Sequence, residues 1–122
     1  MLKGDLYTIT SAERENNAFQ IILELNAGHK IFEGHFPGHP VLPGACMLQI
    51  VKEAAENVLQ KKLHLIKASS LKFLHVINPR ESPVLQLSLS MNIAHDGITD
   101  LSGTLSHVAA VCFKFSCSFQ EW

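Results

Sequence analysis

The chain has 122 residues, 47% hydrophobic and 17% charged, a balance that supports a packed core and excludes a disordered polypeptide. Ten Lys and Arg against eleven Asp and Glu leave a net charge of -1. With no basic cluster beyond Lys61-Lys62, electrostatic capture of nucleic acid is excluded.

No apolar run reaches the roughly 18–20 residues of a membrane span, and Met1-Leu2-Lys3-Gly4-Asp5 lacks the apolar core of a signal peptide. Three cysteines, Cys46, Cys112 and Cys117, make an odd count. The expectation is a reduced, cytoplasmic protein with one domain over residues 1–122.

In chain order, a first strand is expected near Leu6–Thr10. From Ala18 to Leu25 the pattern alternates, with Phe19, Ile21, Leu23 and Leu25 on one face and Gln20, Ile22 and Glu24 on the other. Period two over eight residues is a strand with one buried face. The next stretch, His35-Phe36-Pro37-Gly38-His39-Pro40-Val41-Leu42-Pro43-Gly44, carries three prolines and two glycines in ten residues, and reads as a stiff, irregular loop. From Ala45 to about Gln60 neither proline nor glycine occurs, and Leu48, Val51, Ala55 and Val58 keep the three/four spacing of a helix. Pro43 suits the start of that helix, where its missing N–H is no loss. About 16 residues of helix would run ~24 Å.

A strand is expected over Ile66–Ile77, ended by Asn78-Pro79. Val84–Asn92 alternates again, with Leu85, Leu87, Leu89 and Met91 inward. Asp96-Gly97 is a two-residue hairpin signal. A weaker strand follows over Ile98–Ser106. Last comes Val111–Gln120, with Val111, Phe113, Phe115, Cys117 and Phe119 inward. One long helix among five or six antiparallel strands predicts an α+β fold in which a curled sheet wraps the helix.

The loop places a titratable imidazole, that of His35, beside the open N-terminus of the helix. The first amides of a helix have no intrahelical acceptor and carry partial positive charge. A base next to an anion-stabilising site is what proton abstraction alpha to a carbonyl needs.

The order of elements and the motif His-Phe-Pro-Gly-x-Pro-Val-x-Pro-Gly resemble the hot-dog-fold 3-hydroxyacyl-[acyl-carrier-protein] dehydratases. Ile31-Phe32-Glu33-Gly34, leading into the motif, and Lys67-Ala68-Ser69-Ser70-Leu71-Lys72-Phe73, with its Lys-Phe pair, fit the same family. The likeness covers roughly Phe19 to Phe119. It implies loss of water from a 3-hydroxyacyl thioester to give a trans-2-enoyl product, with His35 as base and the helix N-terminus at Gly44 as oxyanion site. It also implies substrate contact by Phe36, Pro43 and Gly44, and needs no metal or cofactor. The implied partner is an acyl carrier protein bearing a phosphopantetheine-linked acyl chain. The implied assembly is a homodimer, with hexamers as trimers of dimers in keeping with the family.

One position departs from the family. Where the motif has a carboxylic acid on the helix, this chain has Gln49, and an amide cannot deliver a proton at neutral pH. The leaving hydroxyl could be protonated by His35 returning the proton it removed, by Glu53 one turn beyond, or by a water held on Gln49; a fourth option is that the chain has lost the activity or works beside a catalytic partner chain. A non-catalytic acyl-binding or assembly subunit is the alternative. Thioester hydrolysis is another, and would want Glu53 or Glu56 to activate water. His39 is a weaker candidate for substrate contact. The His35–His39 spacing suits a metal only on a helix, which Pro37, Gly38 and Pro40 forbid. Cys46, among Ala45, Met47 and Leu48, reads as a small core residue, and Lys61-Lys62 as a solvated helix end.

Overall fold

In the computed structural model, which describes residues 2–33, 40–93, 96–108 and 110–121, the chain order is β1 (Tyr7–Glu15), β2 (Ala18–Leu25), α1 (Gly44–Leu59), β3 (Leu63–Phe73), β4 (Val84–Ile93), β5 (Ile98–His107) and β6 (Ala110–Glu121). A 3-10 turn over Lys30–Phe32 precedes the motif loop, and His29 caps it by accepting the Ile31 N–H at 3.0 Å. The strands form one sheet in the order β1-β2-β4-β5-β6-β3, every neighbouring pair antiparallel. This is the α+β architecture expected from the sequence.

Alternation decides which face is buried. Phe19, Ile21, Leu23, Leu25, Leu85, Leu87, Leu89 and Met91 all enter one core, together with Cys46, Met47, Ile50, Val51, Ala54 and Ala55 of α1. The helix carries the chain from β2 across to β3 at the far edge of the sheet. That crossing lays α1 against the inner face. It also leaves the residues just before α1 and just after β3 as neighbours: the Leu42 N–H donates to the Ile77 carbonyl at 2.8 Å.

Three expectations about strands are corrected. β1 runs on to Glu15, because it pairs with β2 through a bulge between Ile9 and Ser11; its outer half is exposed and polar, so it shows no alternation. β3 begins at Leu63, three residues earlier than expected, where the fully buried Leu63 has its N–H held by the Glu56 carboxylate at 2.8 Å. It also ends earlier, at Phe73: the amides of Leu74 and His75 both turn to the Cys112 carbonyl. Finally, Val111 faces outward and Cys112 is buried, because the β5–β6 register shifts between Leu105 and Ser106 and reverses the alternation there. β4 and β5 do form a hairpin at Asp96-Gly97, but the connection from Ile93 to Ile98 is four residues rather than two; Gly97 sits at φ +81°, a conformation that suits glycine, and the Asp96 carboxylate accepts the Ile98 N–H.

Candidate active site

Pro43 is extended (φ -62°, ψ 146°) and sits at the N-cap of α1, where it has no side-chain cap to offer. Its carbonyl accepts the amides of Cys46 and Met47 at 3.0 and 3.2 Å. Gly44 and Ala45 come too early in the helix to have an intrahelical acceptor. Their amides therefore form the positive end of the α1 dipole.

Gly44 lines a mainly apolar cleft of about 370 Å³ together with Leu42, Met47, Phe73, Leu74, His75 and Val76. Its lack of a side chain is required by packing. A Cβ there would lie 2.8 Å from the Phe73 ring, which stacks on Phe113 at 4.7 Å between centroids. Phe73, half exposed, thus sits over the helix start. The sequence marked it only as half of a Lys-Phe pair.

His35, Phe36 and His39 lie outside the described residues. Among the described residues, no three His, Cys, Asp or Glu side chains gather into a metal site.

Gln49 is half-buried on the second turn of α1, five residues and therefore ~7.5 Å of helix rise beyond Gly44. Its side-chain amide donates to the Glu53 carboxylate at 2.7 Å. Glu53 is only 2% exposed, yet its oxygens are well supplied with donors. They accept the Leu2 N–H at 3.0–3.1 Å, the Lys3 N–H at 2.8 Å and the Tyr7 hydroxyl at 3.0 Å. Burial pushes the Glu53 carboxyl up, but the bonds from Leu2, Gln49, Lys3 and Tyr7 outweigh it and hold the acid below its ordinary range. Tyr7 responds in the opposite sense: burial first, then the Glu53 charge, drive its phenol far above the usual value.

Glu53 is therefore an ionised anchor for the N-terminal segment, which does not suit it to protonate a leaving group. Glu56 accepts the Leu63 amide instead. Both carboxylates named as alternatives for thioester hydrolysis are engaged by structural donors. Cys46, 8% exposed, has its thiol pushed up by burial, as a core cysteine should. The Glu53 cradle escaped sequence reading because its donors come from a segment some fifty residues away. The available signal was a glutamate at i+4 from Gln49, immediately before Ala54-Ala55 in the apolar stripe.

A family model described as ApeI dehydratase, ApeI-like, matches residues 11–100. The 3-hydroxyacyl-[acyl-carrier-protein] dehydratase FabZ of Lactobacillus helveticus is 32% identical over 114 residues, covering 78% of this chain and 73% of the relative. Among solved structures, the dehydratase heterocomplex ApeI:P from Xenorhabdus doucetiae aligns with a TM-score of 0.67 at 20% identity, covering 92% of this chain and 96% of that one. A hypothetical thioesterase protein with coenzyme A from Streptococcus pneumoniae aligns with a TM-score of 0.68 at 8% identity, covering 95% of this chain and 85% of that one. At such identities the structural likeness speaks to the fold alone.

Proposed function

We propose, from the premise that this chain belongs to the ApeI-like dehydratase family of hot-dog proteins, that it removes water from 3-hydroxyacyl thioesters to give trans-2-enoyl thioesters. The substrate is carried on the phosphopantetheine arm of an acyl carrier protein, in fatty acid or related acyl-chain biosynthesis. The observation that carries this is the helix start at Pro43-Gly44, without a side-chain cap, on an apolar cleft directly after the histidine motif.

His35 takes the proton from the carbon next to the thioester, and the developing negative charge on the thioester oxygen is met by the amide at Gly44. The C3–O bond then breaks. With Glu53 held as a carboxylate, the proton on His35 passes to the departing hydroxyl, which leaves as water. One imidazole thus serves as base and then acid, and ends as it began. Phe36 and Pro43 frame the acyl thioester, and Gln49 contacts the 3-hydroxyl. No metal or cofactor enters the reaction.

Phe73, Leu74 and Val76 stand exposed beside the cleft and are suited to burial against a second copy, which makes a homodimer the working unit and hexamers of three dimers a natural extension. The setting we assign is cytoplasmic.

His35→Ala should abolish enoyl formation while leaving the fold intact by circular dichroism. Unchanged turnover would remove His35 from the mechanism. Because the neutral imidazole is the reactive form, wild-type rate should fall as pH drops through the imidazole range, near ~6.5 before any displacement by burial.

A second reading is favoured by one observation: the side chain at the acid position is an amide, already bonded to a carboxylate. The Xenorhabdus structure is itself described as a heterocomplex. On this reading the chain is an acyl-binding or assembly subunit working beside a catalytic partner. Gln49→Glu separates the two. A large gain from near-zero activity favours the assembly subunit; loss or no gain assigns Gln49 to a working variant.

A further inference from the structure

We infer that Glu53 is a positioning residue: it locks the Gln49 amide with nitrogen turned inward, so that the carbonyl oxygen is what Gln49 offers to the substrate's 3-hydroxyl. The inference rests on the dehydratase reading, which sets Gln49 beside that hydroxyl.

An ionised carboxylate can only accept hydrogen bonds, so the group facing it at 2.7 Å must be the amide NH₂. The amide is planar, and its carbonyl therefore occupies the other branch. Rotating the amide by half a turn would set an oxygen against the Glu53 charge. Glu53 cannot swing away to relieve this, because two backbone N–H groups and the Tyr7 hydroxyl hold it in a nearly dry setting. The orientation of Gln49 is thus dictated from the N-terminal segment.

The consequence is chemical selectivity. A 3-hydroxyl has a hydrogen to give to the Gln49 carbonyl; a 3-oxo group has none. The site is built for the 3-hydroxyacyl chain and against the 3-oxoacyl chain, which is two electrons more oxidised at C3. Engaging the hydroxyl hydrogen also leaves the oxygen lone pairs available for the proton that His35 returns.

The test uses 3-hydroxyacyl and 3-oxoacyl pantetheine amides, stable analogues whose dissociation constants are measured calorimetrically on the full chain. Wild type should prefer the hydroxyl form by about tenfold, the worth of one net hydrogen bond. Gln49→Leu should bind both alike, and Glu53→Gln, which frees the amide to turn, should lose most of the preference. Equal affinities in wild type, or a preference that survives Gln49→Leu, overturns the inference.

Should Glu53→Gln fail to fold, the wild-type protein still decides Glu53's part. The Gln49 side-chain amide protons, assigned by their disappearance in Gln49→Leu, should exchange with solvent far more slowly than those of exposed Gln60. Equal exchange rates overturn the positioning role. Enoyl formation without a hydroxyl preference defeats this inference alone, whereas a hydroxyl preference without enoyl formation defeats the dehydratase reading alone.

Discussion

Glu53 is a buried charge whose cost is met by four sets of donors, and it ties Leu2, Lys3 and Tyr7 to the third turn of α1. Its carboxyl titrates below the ordinary value of 4.5 in the fold. The unfolded chain then binds the proton more readily, so this stabilisation is complete above the unfolded pKa and drains away as pH falls through the folded one. Urea unfolding should show stability declining with acid below the ordinary carboxylate range, and Tyr7→Phe should lower stability at neutral pH by about 1–3 kcal/mol. A Tyr7→Phe protein as stable as wild type would mean the phenol is not bonded to the carboxylate. The sequence placed Glu53 one turn beyond Gln49 but did not show what else holds its carboxylate. Spacing on a helix reveals an i+4 neighbour, not the backbone amides that a distant N-terminal segment brings to it.

At the level of elements, the β4–β5 pairing depends on Gly103. It lies opposite Leu89, and a Cβ there would stand 1.9 Å from the Ser88 carbonyl oxygen, a backbone atom that cannot move without parting the strands. Gly103→Ala should therefore cost ~3 kcal/mol or more, at or beyond the upper end for overpacking, seen as a clear drop in unfolding midpoint. An unchanged midpoint would contradict the close β4–β5 approach. Strands buried on one face and open on the other, β2 and β4, were legible nearly to the residue because every second side chain is apolar. β1 was not, since an edge strand with an exposed outer half has no face to bury. The β3 boundary moved because a side chain on α1, Glu56, fixes where the strand begins, and the Val111 assignment failed because a bulge changes which face a residue meets.

For the molecule as a whole, the path of α1 from β2 to the far edge of the sheet is what builds the site. It brings Leu42 onto the backbone of Ile77 and Gly44 under Phe73, so that an open helix start and an apolar cleft share one end of the sheet. Phe73, Leu74 and Val76 are 52%, 46% and 71% exposed around that cleft, an apolar patch that the proposed homodimer would cover. No described helix is long and apolar enough to cross a membrane. The helix was readable because the stretch from Ala45 to Gln60 holds no proline or glycine and keeps its apolar spacing behind Pro43, whereas residues 35–39 of the motif lie outside the described residues. The covering of the cleft by Phe73 was not readable, because it joins residues from opposite ends of a crossover.

The central claim is that this chain, with an amide at the acid position, dehydrates by itself. The most direct measurement is to incubate the purified wild-type protein, with no other dehydratase, with a 3-hydroxyacyl chain on acyl carrier protein and to quantify the product by mass spectrometry. Loss of one water to give the 2-enoyl thioester, at a rate proportional to protein concentration, is the predicted result. Recovery of the 3-hydroxyacyl substrate unchanged would contradict it.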